Sequence, residues 1–179
     1  MTIQEDDVAT ISFQDTSSSI GETAGQHTVN VVLDLPAGGS RRTSRPAGLV
    51  AGYGRCNLAR QRDYFDAQRE QYVCGFNPHA EADDTLTVAR LTADDGRTIA
   101  TLVNYACHPT TLAWQNTLVS PDYVGALRET VESRFDAPCV FLQGPSGDLG
   151  PLDGFVGDVA TADRNGRQVG HAAVSTLDA

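Results

Sequence analysis

His108 is the residue best placed to do chemistry in this chain. It follows the β-rich run "RTIATLVNYAC" and precedes Pro109, with hydroxyls at Thr110 and Thr111. Proline donates nothing to a strand ladder and holds the preceding residue extended, so His108 belongs at a strand's end, beside a loop. A neutral imidazole there can bind a divalent metal or move a proton. On position alone, a lone histidine is more often structural or solvent-exposed. His27, His79 and His171 show no HxH or HxxxH spacing with it, so spacing assembles no complete zinc site.

The second stretch with chemical content is "FLQGPSGDLGP", residues 141–151, where a short apolar run stops in a Gly-rich turn. Ser146 sits one residue away from the G-x-S-x-G pattern, with Asp148 where the second glycine belongs, and Pro151 follows too soon for a helix. The loop reads better as a turn at the C-terminal end of a strand, where open α/β sheets place their ligands. Asp148 there can orient a histidine, support a metal ligand or cap the turn. Asp122 has a similar ambiguity at a helix start.

The elements that must position these groups are legible from pattern. "TLTVARL" and "RTIATLVNYAC" flank "TADDG", whose Asp95-Gly96 pair supplies a hairpin turn. "SPDYVGALRETVESRFD" reads as a helix with Ser120 as N-cap and Pro121 in the first turn, burying Val124, Leu127, Val131 and Phe135. "CVFLQG" then reads as a buried strand, completing a β-α-β order. "GDVATADRNGRQVGHAAVSTLDA" is a helix weakened by Asn165-Gly166 that reaches the last residue without a C-cap.

Residues 1–45 read as a loop-rich segment with one strand, in which Val29, Val31, Leu33 and Leu35 alternate between "TSSSIGETAGQ" and "AGGSRRTSRPAG". Arg41, Arg42 and Arg45 form a solvated basic loop in this reading. Residues 46–179 form one α/β domain. The fold class expected is α/β: a mixed sheet with a β-hairpin and flanking helices, an incomplete part of a larger α/β hydrolytic domain. A lone strand and an uncapped final helix carry that expectation of a fragment.

The formal net charge of −10 over 179 residues disfavours nucleic acid and anionic membrane surfaces as partners. No apolar stretch approaches a membrane span and "MTIQEDDVAT" lacks a signal peptide's regions, so the chain reads as cytoplasmic, with the true N-terminus open. Cys56, Cys74, Cys107 and Cys139 make no CxxC pair and are expected to be buried free thiols.

Taken in order, "DDTLTVARL", "NYACHPTTL", "NTLVSPDYVGAL" and "FLQGPSGDLGP" resemble the catalytic N-terminal domain of the neutral/alkaline, non-lysosomal ceramidase family. Ala106, His108 and Thr110 match its Ala-x-His-x-Thr-Ser segment. Asn116, Thr117, Leu118, Ser120, Asp122 and Gly125 match Asn-Thr-Leu-Ile-Ser-x-Asp-x-x-Gly. Phe141, Gln143, Gly147, Asp148 and Pro151 match Phe-x-Gln-x-x-x-Gly-Asp-x-Ser-Pro. The resemblance implies a zinc-dependent hydrolase of non-peptide amide bonds, with His108 as metal ligand and Asn104 and Asp148 supporting it. It also implies a catalytic arginine, for which Arg62 in "RQRDY" is the candidate, and a small-molecule or lipid-like amide as substrate.

Two departures shape that expectation. The family's active-site serine falls on Gly150, and its further metal ligands, a histidine upstream and a glutamate and tyrosine downstream, have no counterpart in residues 1–83 or 152–179. The zinc site expected is therefore incomplete. The alternative is a non-catalytic α/β binding or structural domain that has lost the serine and the ligands, and a serine esterase using Ser146 with His108 is a third reading.

Overall fold

A computed structural model describes residues 10–13, 27–34, 43–114 and 116–179. The Gly/Ser-rich stretch at 16–26, Leu35, Arg41 and Arg42 lie outside the described residues. Six strands make one mixed sheet in the order β1 (Thr10–Phe13), β2 (His27–Asp34), β3 (Thr43–Arg55), β7 (Thr85–Thr92), β8 (Thr98–Tyr105) and β9 (Cys139–Gln143). All neighbours pair antiparallel except β8 and β9, which run parallel. Two short ribbons, β4 (Ala59–Gln61) with β10 (Leu149–Pro151) and β5 (Asp63–Asp66) with β6 (Gln71–Cys74), complete the strands. The fold class is α/β, as the sequence implies.

The hairpin expected at Asp95-Gly96 joins β7 to β8, and Gly96 supplies the positive φ of 81° that its turn needs. Parallel β8 and β9 require a crossover, and the helix α1 (Tyr123–Phe135) provides it. The N-cap of α1 is Asp122 rather than Ser120. The Asp122 carboxylate is buried because both oxygens find backbone donors: Oδ1 accepts from Tyr123 N at 2.7 Å and Oδ2 from Leu112 N at 2.8 Å. Ser120 stands one step further out, its Oγ accepting from Asp122 N at 3.0 Å.

The sheet extends further toward the N-terminus than pattern indicates. β1 occupies residues read as loop, and Arg45, expected in a loop, lies on the long strand β3. β3 is rich in glycine and contains Pro46, both of which argue against a strand. Pro46 is tolerated because it precedes the stretch paired with β7, where β3 has only β2 as a neighbour. Gly54 is required by packing: a Cβ there would collide with Thr176 of the helix α2 (Val159–Leu177).

Both helices cover one face of the sheet. Leu86, Val88, Val103 and Tyr105 meet Tyr123, Leu127 and Val131 of α1 and Val169 and Ala173 of α2. Each fully buried aliphatic side chain in this cluster contributes roughly 1.5–3 kcal/mol. The pair Asn165-Gly166, which weakens α2 in isolation, is what lets the helices approach. A Cβ on Gly166 would collide with Tyr123 O, and one on Gly170 would stand 2.7 Å from Thr130 Cβ. Three cysteines, Cys56, Cys107 and Cys139, are buried free thiols as expected, whereas Cys74 on the β5–β6 ribbon is exposed.

Candidate functional site

His108 leaves the end of β8 and is held by the loop that follows β9. Its backbone N–H donates to Leu149 O at 3.0 Å, and its Nδ1 lies 2.5 Å from Ser146 O and 3.2 Å from Ser146 Oγ. A carbonyl oxygen only accepts, so Nδ1 carries the proton, and in the neutral imidazole Nε2 keeps the lone pair. Nε2 is the nitrogen left able to accept a proton or a metal, and it makes no hydrogen bond among the described residues.

That assignment disposes of Ser146 as a nucleophile. An activated serine must give its proton to the histidine, but Nδ1 is already a donor to the carbonyl of the same serine. Ser146 is also only 5% exposed, and its Oγ accepts from Gln143 Nε2 at 2.6 Å. Gln143 Nε2 further reaches Cys107 O at 3.1 Å, so the glutamine at the end of β9 stitches the turn to the segment carrying His108.

Asp148 is exposed and does not touch the imidazole. Its Oδ2 accepts from Gln61 Nε2 at 2.5 Å, and its carbonyl accepts from Arg62 N at 2.7 Å. Asn104, the other residue expected to support the histidine, donates to Leu142 O at 3.0 Å across the β8–β9 pair. Among the candidates, then, the 146–151 loop gathers His108 from one side and Gln61-Arg62 from the other, while Asn104 stays within the sheet.

Arg62 lies against the same loop. Its Nη2 donates to Pro151 O and to Leu152 O, the latter at 3.0 Å. Its Nε is buried and has no partner among the described residues. A Cβ on Gly150 would stand 3.3 Å from this Nε and 3.4 Å from Thr110 Oγ1. Burial lowers the guanidinium pKa from its ordinary value, opposed by the nearby Cys74 and Cys107. The β4–β10 ribbon that delivers Arg62 carries no periodic signal in the sequence, and Gln61 had none at all.

Beneath the site, buried phenols are tied to backbone groups. Tyr105 Oη donates to Cys56 O at 2.7 Å and accepts from Ala59 N at 2.9 Å, while Tyr123 Oη donates to Cys107 O at 2.6 Å. Burial raises both phenols above their ordinary range and pushes the Cys107 thiol up to about 12, with Cys56 adding to it. These groups are structural donors, with no thiolate available near neutral pH.

A zinc ion needs three or four protein ligands. Among the described residues no three His, Cys, Asp or Glu side chains converge as such a set, and His108 stands as a single imidazole with its outer nitrogen open. The described residues therefore do not fit a complete metal centre.

No protein-family profile and no curated protein matches the sequence. Solved structures do. The neutral ceramidase from Pseudomonas aeruginosa superposes with a TM-score of 0.59 at 18% identity, over 75% of this chain and 23% of that one. A structure described as "Ceramidase complexed with C2" gives 0.60 at 19% identity with the same coverage, 75% and 23%. The chain thus shares a fold with part of these ceramidases and spans about a quarter of their length. The structural likeness agrees with the resemblance carried by the His108 and Asp148 segments.

Proposed function

We propose that this chain is the histidine-bearing part of a ceramidase-like hydrolase that cleaves a non-peptide amide C–N bond in a small or lipid-like substrate. The observation that carries the reading is the locked tautomer of His108 at the end of β8. Nδ1 is tied to Ser146 O, which leaves Nε2 as a basic atom next to the loop that bears Asp148 and packs against Arg62. Zinc is the metal the resemblance implies; bound, it would polarise the amide carbonyl. The described residues offer it His108 alone, so the roles derived for this chain stop at its own groups. His108 Nε2 binds or takes a proton, Gln143 and Ser146 hold the ring, and Arg62 and Asp148 brace the loop.

The test is a calorimetric zinc titration paired with an assay of N-acyl amide hydrolysis, on this chain and on a version lengthened at both ends along its reading frame. The proposal expects zinc binding and hydrolysis in the longer protein, both lost in His108→Ala. Absence of zinc binding and of hydrolysis in both proteins would sink it.

Gly150 favours a second reading, a non-catalytic α/β module. The position at which the resemblance calls for a hydroxyl is a glycine covered by Arg62. Hydrolysis by the unmodified lengthened protein would exclude this reading, whereas inactivity that persists in Gly150→Ser would support it.

A further inference from the structure

The chain contains one Asn-Gly pair, Asn165-Gly166, and packing requires both residue types. Gly166 stands where a Cβ would collide with Tyr123 O of α1. Asn165 is 3% exposed, and its Nδ2 donates to Thr111 Oγ1 at 3.2 Å and lies 3.5 Å from Asp153 O. Thr111 is itself fully buried, and its carbonyl accepts from Val156 N at 2.9 Å and Gly157 N at 3.1 Å. Asn165 therefore joins α2 to two segments that meet near His108, the one that follows the His108-Pro109 turn and the one that follows β10.

The pair carries a reaction of its own. The Gly166 nitrogen, unshielded because glycine has no Cβ, can attack Asn165 Cγ. A new N–Cγ bond closes a five-membered succinimide, the Cγ–Nδ2 bond breaks, and the side-chain nitrogen leaves as ammonia with the proton that Gly166 gives up. Water then opens the ring at either carbonyl and leaves aspartate or isoaspartate at position 165. In the docked helix this attack is blocked. The Gly166 N–H is committed to Ala162 O in the helical ladder. Closing the ring also has to turn Asn165 out of helical backbone, against its bond to Thr111 and the close approach of α1.

The product does not fit the place that the amide leaves. An aspartate there exchanges the Nδ2 donor for a carboxylate oxygen that the Asp153 carbonyl repels, in a position closed to water, and an isoaspartate adds a methylene to the helix backbone. We propose that Asn165-Gly166 is a modification site gated by α2. It is silent while α2 lies on α1, reacts when α2 opens, and then keeps α2 from docking again, which releases the anchor of the segment after His108. The inference stands apart from the hydrolase reading, since it needs neither substrate nor metal.

The test holds the native protein, and the same protein unfolded in urea, in mildly alkaline buffer and follows position 165 by peptide mass mapping. Conversion should proceed in urea and run at least about a hundredfold more slowly in the native protein, where it waits on an opening of the helix. Below the unfolding transition, added urea should raise the native rate in step with hydrogen exchange at the α2 amides. On removal of urea, unconverted molecules should recover the native circular dichroism and converted ones should not. Asn165→Asp, made directly, should unfold at lower urea than the wild type. Equal rates in the two states, or no conversion in either, overturn the proposal. So does a converted protein, or Asn165→Asp, that refolds with the wild-type urea midpoint.

Discussion

Arg62 lies directly over Gly150, its Nε 3.3 Å from where a Cβ on that glycine would sit, while its Nη2 is tied to the carbonyls of Pro151 and Leu152. The glycine and the arginine are one packing decision, though they stand about half the sequence apart. The arginine fills the approach that a larger residue at position 150 would need, and the glycine leaves its Nε without a partner among the described residues.

This pairing predicts an asymmetric response to substitution. Gly150→Ser introduces a Cβ facing the flexible Arg62 side chain and an oxygen able to accept from the orphaned Nε, so stability in urea should change by less than about 1 kcal/mol. Gly150→Leu must displace the guanidinium and should cost about 1–3 kcal/mol. Arg62→Ala should also destabilise, because the Pro151 and Leu152 carbonyls lose their donor.

Gly166 gives the sharpest packing prediction. Gly166→Ala improves intrinsic helix propensity by roughly 0.8–1 kcal/mol, yet it drives a methyl into Tyr123 O. The net effect expected is destabilisation of about 1–3 kcal/mol, read from urea unfolding. A stabilised variant would mean that the helices are further apart than described.

The thiols separate by burial. A chromogenic disulfide reagent should titrate one cysteine in the native protein, Cys74, and release Cys56, Cys107 and Cys139 only on unfolding. Burial raises the pKa of all three buried thiols, Cys107 to about 12. Below the unfolded thiol value near 8.5 the folded and unfolded states bind protons equally. Above it the unfolded chain loses protons first, so stability falls as pH rises, and for Cys107 it does so up to about 12, by at most about 1.4 kcal/mol per pH unit. Cys107→Ala should flatten that slope, measured as unfolding free energy between pH 8 and pH 11.

Ser146 should not react with a fluorophosphonate, because its carbonyl holds the Nδ1 proton of the histidine that would have to activate it. Labelling that is lost in Ser146→Ala would overturn this and restore a serine hydrolase reading.

The β7–β8 hairpin, α1, β9 and α2 are legible in the sequence because each announces itself locally, by alternation, by helical spacing or by Asp95-Gly96. The long strand β3 is not, because its glycines answer to Thr176, over a hundred residues away, and its Pro46 is excused by sheet topology. The site divides similarly. His108 shows itself through its place between a strand and a proline. Its lock on Ser146 and the arrival of Gln61 and Arg62 depend on the β4–β10 ribbon, whose three-residue strands carry no period. The N-cap moved from Ser120 to Asp122 because a carboxylate can satisfy two buried donors where a hydroxyl accepts more weakly.

Tyr105 Oη joins Cys56 O and Ala59 N, so the strand that leads to His108 and the segment that leads to Arg62 are pinned at a common point. The pin lies a few residues before each side chain. Displacing one of these segments therefore pulls on the other, and a phenol with no part in the chemistry of either helps the 146–151 loop keep the spacing of histidine and arginine. In mechanical terms the site has a fulcrum, and it is buried in the core.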